Sequence, residues 1–256
     1  SNSEFCSFVN STLVNLETMC AQDRAVSLEE AAGPFGSFLN SSTLSPGKES
    51  KEKVASAVTL LLQSVELAAL TAALRSPEMK KQNMTTESMA IETLLVVPGA
   101  GPCDKVFRLR AQNETMDIHC NTVTSAATED SGACAFISYS TLDSIINKRF
   151  LNAGDLKTDE KLRNFHLNSR VVSGAIGAGR SMNLSIPVNF TLSHRQVSVD
   201  PFTLLCARGS SWSLKRCVSC RAFECCYLFL TPERHLRNRG SFFRPDTGAV
   251  LVEDIR

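Results

Sequence analysis

Four cysteines fall within ten residues, Cys217, Cys220, Cys225 and Cys226, in the stretch "SWSLKRCVSCRAFECCYLFL". Thiols at that density can hold a metal, exchange disulfides or staple a fold. A zinc ribbon needs two separated Cys-x-x-Cys knuckles so that four sulfurs reach tetrahedral positions. Cys217 and Cys220 make one knuckle, but the adjacent Cys225 and Cys226 make a poor second one. Disulfide use or unpaired reactive thiols therefore rank above zinc, and a thioredoxin-like redox pair ranks below it. The histidines, His119, His166, His194 and His235, are scattered without His-Glu-x-x-His spacing, and His119 beside Cys120 reads as a locally satisfied strand histidine. "GAIGAG" from Gly174 to Gly179 lies between two strand-like runs, where a dinucleotide fingerprint needs a helix to receive the pyrophosphate, so it reads as a hairpin turn. "PGKES" lacks the Ser or Thr that follows Gly-Lys in a phosphate loop, and there is no G-x-S-x-G elbow. The residue types imply no enzyme, no cofactor and no metal.

The elements that carry these residues come next. The chain has 256 residues, 43% of them apolar, which is enough for a sizeable core. Its net charge of +1 and 7% aromatic content give no field or stacking platform for nucleic acid, which is excluded as a partner. The opening "SNSEFC" has no basic stretch followed by an apolar one, so the sequence reads as a mature or excised piece. The most apolar window, Val54 to Leu74, nearly reaches bilayer length. Its larger residues Val54, Val58, Leu61, Val65 and Ala68 recur at helical spacing around Gln63 and Glu66, which predicts an amphipathic soluble helix and no membrane span.

Two counts speak to compartment. The ten cysteines are even in number, and the six Asn-x-Ser/Thr sequons, at Asn10, Asn40, Asn83, Asn113, Asn183 and Asn189, exceed the roughly three that chance would give. Together they predict an oxidising, glycosylating environment and an extracellular placement, secreted or at the cell surface.

The first part of the chain reads as helical. "STLVNLETMCAQ" (residues 11–22) and the run from Ser50 to Arg75 carry 3.6-residue periodicity, and Ser27 with Glu30 forms a capping box ahead of a helix between them. Polar breaks hold Pro46, Gly47 and Pro77. From about Thr85 the character changes to short runs rich in Val, Ile, Phe and Thr, bounded by Pro, Gly, Asn and Asp. Val106, Arg108 and Arg110 alternate with Phe107, Leu109 and Ala111, as in a sheet with one buried face. Helices first and strands second predict an α+β fold, with a helical subdomain over residues 1–84 and a twisted antiparallel β-sandwich over 85–217. Residues 207–256 hold nine Lys or Arg against five acids and lose the alternation, so 218–256 reads as an irregular Arg- and Cys-rich tail.

Three phrases in the strand region, "AFISYSTLDSIIN" (Ala135 to Asn147), "LNSRVVSGAIG" (Leu167 to Gly177) and "IPVNFTLSH" (Ile186 to His194), resemble the extracellular GAIN domain of adhesion G-protein-coupled receptors. They are most similar to the group found on myeloid cells whose ectodomains carry EGF-like modules. The resemblance covers about residues 10–206. It implies a helical subdomain followed by a twisted sandwich, with function in cell-surface binding. In an intact relative this domain would tether and shield the agonist segment of the receptor.

The resemblance also implies a proteolysis motif at the end of the sandwich: a cysteine, a strand, Trp-Ser/Thr-x-x-Gly-Cys, then Cys-x-Cys-x-His-Leu-Ser/Thr. There two disulfides brace a turn, and the hydroxyl attacks the preceding carbonyl in an acyl shift. Cys206 matches the first cysteine and "WSLKRC" (Trp212 to Cys217) keeps the spacing, with Arg216 where glycine is expected. Beyond Cys217 the pattern ends, because the His-Leu pair His235-Leu236 is followed by Arg237. Arginine carries neither hydroxyl nor thiol, so no self-cleavage is expected. The chain then reads as a truncated ectodomain with a divergent tail, and the partner as a cell-surface protein or glycan. The expected disulfides join Cys206 to a tail cysteine, Cys217 being the family-like one, and Cys6 to Cys20. A self-cleaving domain and a zinc-binding tail are the rival readings.

Overall fold

The computed structural model describes residues 24–40, 51–97, 103–125, 127, 131–142, 165–167, 169–177, 186, 188–193, 205–207, 214–216, 230–232 and 249–251. Helix α1 is Leu28–Asn40 and α2 is Lys51–Arg75. Strands β1 (Lys81–Thr85), β2 (Met89–Val96), β3 (Val106–Ala111) and β4 (Glu114–His119) follow, then a one-turn helix α3 (Cys120–Thr124). Strands β5 (Gly132–Tyr139), β6 (Phe165–Leu167), β7 (Val171–Ile176) and β8 (Asn189–Ser193) come next, and β9 (Leu205–Ala207), β10 (Leu214–Arg216), β11 (Leu230–Pro232) and β12 (Ala249–Leu251) close the order.

Three layers result. An inner sheet, order β1-β2-β5-β7, carries α1 and α2 on one face and an outer sheet, order β12-β8-β4-β3, on the other. All the ladders are antiparallel. The expected α+β class and sandwich are observed. The changeover comes earlier than Thr85: α2 stops where Pro77 cannot continue it, Met79 N–H donates to Ser76 O across the turn at 2.9 Å, and β1 starts at Lys81.

Local chemistry sets the helices. The Ser27 hydroxyl accepts from the Glu30 N–H at 3.1 Å, half of the expected capping box, while the Glu30 carboxylate turns outward to Arg24. In α2 the expected positions Val58, Leu61, Val65 and Ala68 are all buried. By length and composition Val58–Arg75 could cross a bilayer, but 61% of it is buried within the protein. Ala68, Ala69, Ala72 and Ala73 are at most 1% exposed, and their small size lets α2 lie close to its neighbours.

Buried polar side chains fasten this helical layer to the inner sheet. Gln82 on β1 accepts from the Leu28 N–H at 3.0 Å and donates to Ala72 O at 3.1 Å, touching both helices. Ser76 donates to Val26 O, and Ser88 to Gly36 O at 2.8 Å. Each of these groups would cost free energy if left unpaired in the core, so the helices have one seating.

Between the sheets the core is apolar. Phe136, Val172 and Ile176 of the inner sheet meet Leu109, Met116, Ile118 and Phe190 of the outer one, with the Phe136 and Phe190 rings 5.9 Å apart and tilted by 52°. The outer sheet packs directly on Gly174, where an added Cβ would lie 2.9 Å from Met116 Sδ and 3.2 Å from Phe190 Cζ. Cys134 is buried in this core without a disulfide, and its thiol is pushed up to about 12 by burial and by the Glu92 charge.

Candidate functional site

The residues that could act sit at the rims of the sandwich and on its outer sheet. One rim is tied by a disulfide between Cys103 and Cys120, seventeen residues apart, which closes a loop around the β3–β4 hairpin. The Lys105 and Cys120 backbones pair next to it, Cys120 N–H donating to Lys105 O at 2.8 Å. His119 ends β4 and caps α3: its Nδ1 accepts from the Asn121 N–H at 3.2 Å, and its Nε2 lies 3.6 Å from the Asp104 carboxylate. It is the locally satisfied strand histidine that its neighbourhood in the sequence predicted. The expected hairpin turn at Gly174 to Gly179 is not what forms: Gly174 to Ile176 are the end of β7, the chain turns at Gly177, with φ 66° and its N–H donating to Ala133 O at 2.8 Å, and β7 pairs with β5 while β8 pairs with β4, so the strands on either side belong to different sheets.

Where β2 packs against β3, the mostly buried Glu92 carboxylate of β2 accepts from the Arg110 N–H at 2.7 Å and pairs with Lys81 of β1 at 3.0 Å. That N–H points away from β4, on the free side of an edge strand, and the carboxylate satisfies it. On the outer face Arg108 grips Asp117 through two 2.7 Å bonds.

The six sequons divide by placement. Asn83 is exposed on β1 and Asn113 is exposed in the turn between β3 and β4. Asn189 lies in β8 opposite Asp117, half-buried, with its Oδ1 enclosed. Asn40 is the last residue of α1, and Asn10 and Asn183 lie outside the described residues.

Of the cysteines expected to pair, Cys206 is the central residue of β9 and stands across the ladder from Lys215 of β10. Cys217 follows β10 directly; it, Cys6 and Cys20 lie outside the described residues. The structure thus brings the two arms of the motif together, with Leu205 opposite Arg216 and Ala207 opposite Leu214. This is the antiparallel pairing that "LLCA" and "SLKRC" need if they flank one turn.

The family GPS: GAIN subdomain B matches residues 71–220, more than half of the chain and all strands from β1 to β10. The chain belongs to this family. Among relatives of the GAIN chain, Adhesion G protein-coupled receptor E3 of Homo sapiens is 34% identical over 196 residues, 74% of this chain and 29% of the receptor. Adhesion G protein-coupled receptor E2 of Rattus norvegicus is 28% identical over 227 residues, 86% of this chain and 24% of the receptor. Adhesion G protein-coupled receptor E1 of Mus musculus is 29% identical over 193 residues, 75% of this chain and 20% of the receptor. The GAIN chain spans less than a third of each of these receptors. It is an extracellular receptor domain, not an enzyme of the ordinary kind, and it falls within the EGF-module-containing myeloid group that its phrases resemble.

Sequence reasoning missed the Cys103–Cys120 bridge. The signal was present, since the two cysteines bracket a strand-turn-strand run that brings its own ends together, but nothing in the sequence favoured that pair among ten thiols. It also missed Glu114, which lies inside a sequon yet is 1% exposed.

Proposed function

We propose that this GAIN-family chain acts as a binding segment at the cell surface, or secreted, that engages a protein or glycan ligand and does not cut itself. The single observation that carries the second half is the pair His235-Leu236 followed by Arg237, in place of the Ser or Thr whose oxygen would attack the preceding carbonyl. With no nucleophile, positioning and turn strain have nothing to accelerate. Several features support placement in an oxidising, glycosylating compartment. The acceptors Asn83 and Asn113 are exposed, the Cys103–Cys120 bridge fits an extracellular domain, and β9 and β10 hold Cys206 near the start of the motif. The proposed pairings are Cys206 with a tail cysteine, Cys217 being the family-like one, and Cys6 with Cys20; the proposed glycan sites are Asn10, Asn40, Asn83, Asn113, Asn183 and Asn189.

The test is the intact mass of the 256-residue chain secreted from mammalian cells behind a supplied signal peptide, after enzymatic removal of N-glycans and alkylation of free thiols. One uncut chain, with several asparagines converted to aspartate and few cysteines alkylated, is expected. Two fragments held together without a covalent bond would overturn the non-cleaving reading, and retention of unprocessed chain inside the cell would overturn the placement.

A further inference from the structure

A strand at the edge of a sheet offers a row of unpaired N–H and C=O groups to any second strand, and stable monomers cover or charge such rows. The edges β7, β3 and β1 meet this need differently. All six residues of β7 are buried. On β3 the outward Arg110 N–H is taken by the Glu92 carboxylate, and the exposed side chains of that strand include Arg108 and Arg110. On β1 neither device is in place. Its exposed positions are Lys81, Asn83 and Thr85, and the Lys81 charge is neutralised within the chain by Glu92 at 3.0 Å.

The backbone of β1 is open at those same positions. Thr86 N–H donates to Met89 O and Leu95 N–H to Lys80 O, so by alternation Gln82 and Met84 bond to β2. The N–H and C=O groups of Lys81, Asn83 and Thr85 therefore point away from β2, and among the described residues no strand pairs with them. Asn83-Met84-Thr85 is also a sequon, placed at the centre of this edge with Met84 turned inward and Asn83 and Thr85 outward.

We propose that an N-linked glycan on Asn83 is the cover of this edge, keeping β1 from pairing with the β1 of a second copy of the chain. The inference rests on the glycosylating compartment argued above. An antiparallel β1–β1 pair is two-fold symmetric and requires no other surface. It would place a neighbouring side chain about 4.5–5.5 Å from the Asn83 Cβ, on the same face. The first sugars of a glycan must stand in that space. Asn113 is different, because it lies in the β3–β4 turn, past the end of a ladder, where a sugar opposes no strand.

The experiment uses the full 256-residue chain secreted from mammalian cells. Occupancy of each sequon is read by peptide mass, and association by sedimentation velocity over a range of concentrations. The parent should carry a glycan on Asn83 and sediment as a monomer. Thr85→Ala, at an exposed position, abolishes the sequon and should dimerise with a dissociation constant about tenfold or more below the parent's. Amide exchange over residues 81–85 should slow in that dimer. Asn83→Gln removes the same sugar and should behave alike. Thr85→Lys also loses the sugar but adds a charge to the edge, and should return to monomer. Asn113→Gln loses a glycan elsewhere and should stay monomeric. Asn83 left unmodified in a chain glycosylated at other sequons would overturn the cover and leave the placement standing, whereas no glycan at any sequon would overturn both. Monomeric Thr85→Ala and Asn83→Gln would overturn the cover alone, as would Thr85→Lys or Asn113→Gln dimerising as tightly as Thr85→Ala. Retention of all three Asn83 and Thr85 variants inside the cell would mean that the sugar serves folding, and would overturn it too.

Discussion

The inner and outer sheets each have four antiparallel strands, and they follow different sequence rules because one is covered on two faces and the other on one. All eight residues of β5 are buried: Ala133, Ala135, Ile137 and Tyr139 face the helices, while Cys134 and Phe136 face the outer sheet. In β3 the burial alternates, with Leu109 and Ala111 inside and Arg108 and Arg110 in solvent. Polar groups follow the same division. In the inner sheet several are matched across the core, as Ser173 is by Glu66, Ser138 by Glu114 and Glu92 by the Arg110 N–H, while the buried Thr93 hydroxyl of β2 is left without a hydrogen-bond partner. On the outer face Arg108 and Asp117 pair where water could serve them equally well.

The contrast can be broken first at its most buried ring. Phe136→Ala should cost about 3–5 kcal/mol in urea unfolding, because a fully buried ring leaves a cavity that two sheets and Phe190 cannot fill. Phe107→Ala, at a half-buried position of the outer sheet, should cost distinctly less. Replacing Cys103 and Cys120 together by Ala should lower stability by about 3 kcal/mol, since the loop of seventeen residues regains its freedom when unfolded. The melting temperature with and without reductant checks this independently.

The two glycines sharpen the comparison further. In Gly132→Ala the new Cβ would fall 2.4 Å from Val123 O, a backbone atom, and thermal unfolding should show a loss of about 1–3 kcal/mol. Gly174→Ala meets the movable thioether of Met116 at 2.9 Å and should lose less. The smallest effect belongs to Arg108→Ala, which should leave the unfolding midpoint unchanged at 0.15 M salt because that pair is solvent-screened.

This division also governs what could be read in advance. The β3 alternation and the apolar stripe of α2 were legible because each shows a period with one structural meaning, whereas the glycines at 174–179 suggested a hairpin although β7 and β8 belong to different sheets. The strand β1, "KQNMT", was not legible: only Gln82 and Met84 point inward, and its polar composition reads as loop. Helix α3 was hidden as well, since one turn held by a disulfide and a histidine cap has no periodicity to show. At the candidate site, Cys206 and the spacing of "WSLKRC" could be matched to the motif from sequence, while the pairing of Leu205–Ala207 with Leu214–Arg216 came from the fold. The contacts around Glu114 could not be read in advance, because Gln112 and Glu114, Ser138 and Ser140, and Arg170 come from three separate stretches of chain that only the fold collects.

The withdrawal of Cys134 into the core changes the parity of the thiols. Ten cysteines suggest five bridges, but Cys103 and Cys120 close one and Cys134 takes no part, which leaves Cys6, Cys20, Cys206, Cys217, Cys220, Cys225 and Cys226. Seven is odd, so these can close at most three bridges among themselves. Within these 256 residues one more sulfur besides Cys134 has no partner, so a thiol count on this 256-residue monomer, unfolded and unreduced, should not reach zero.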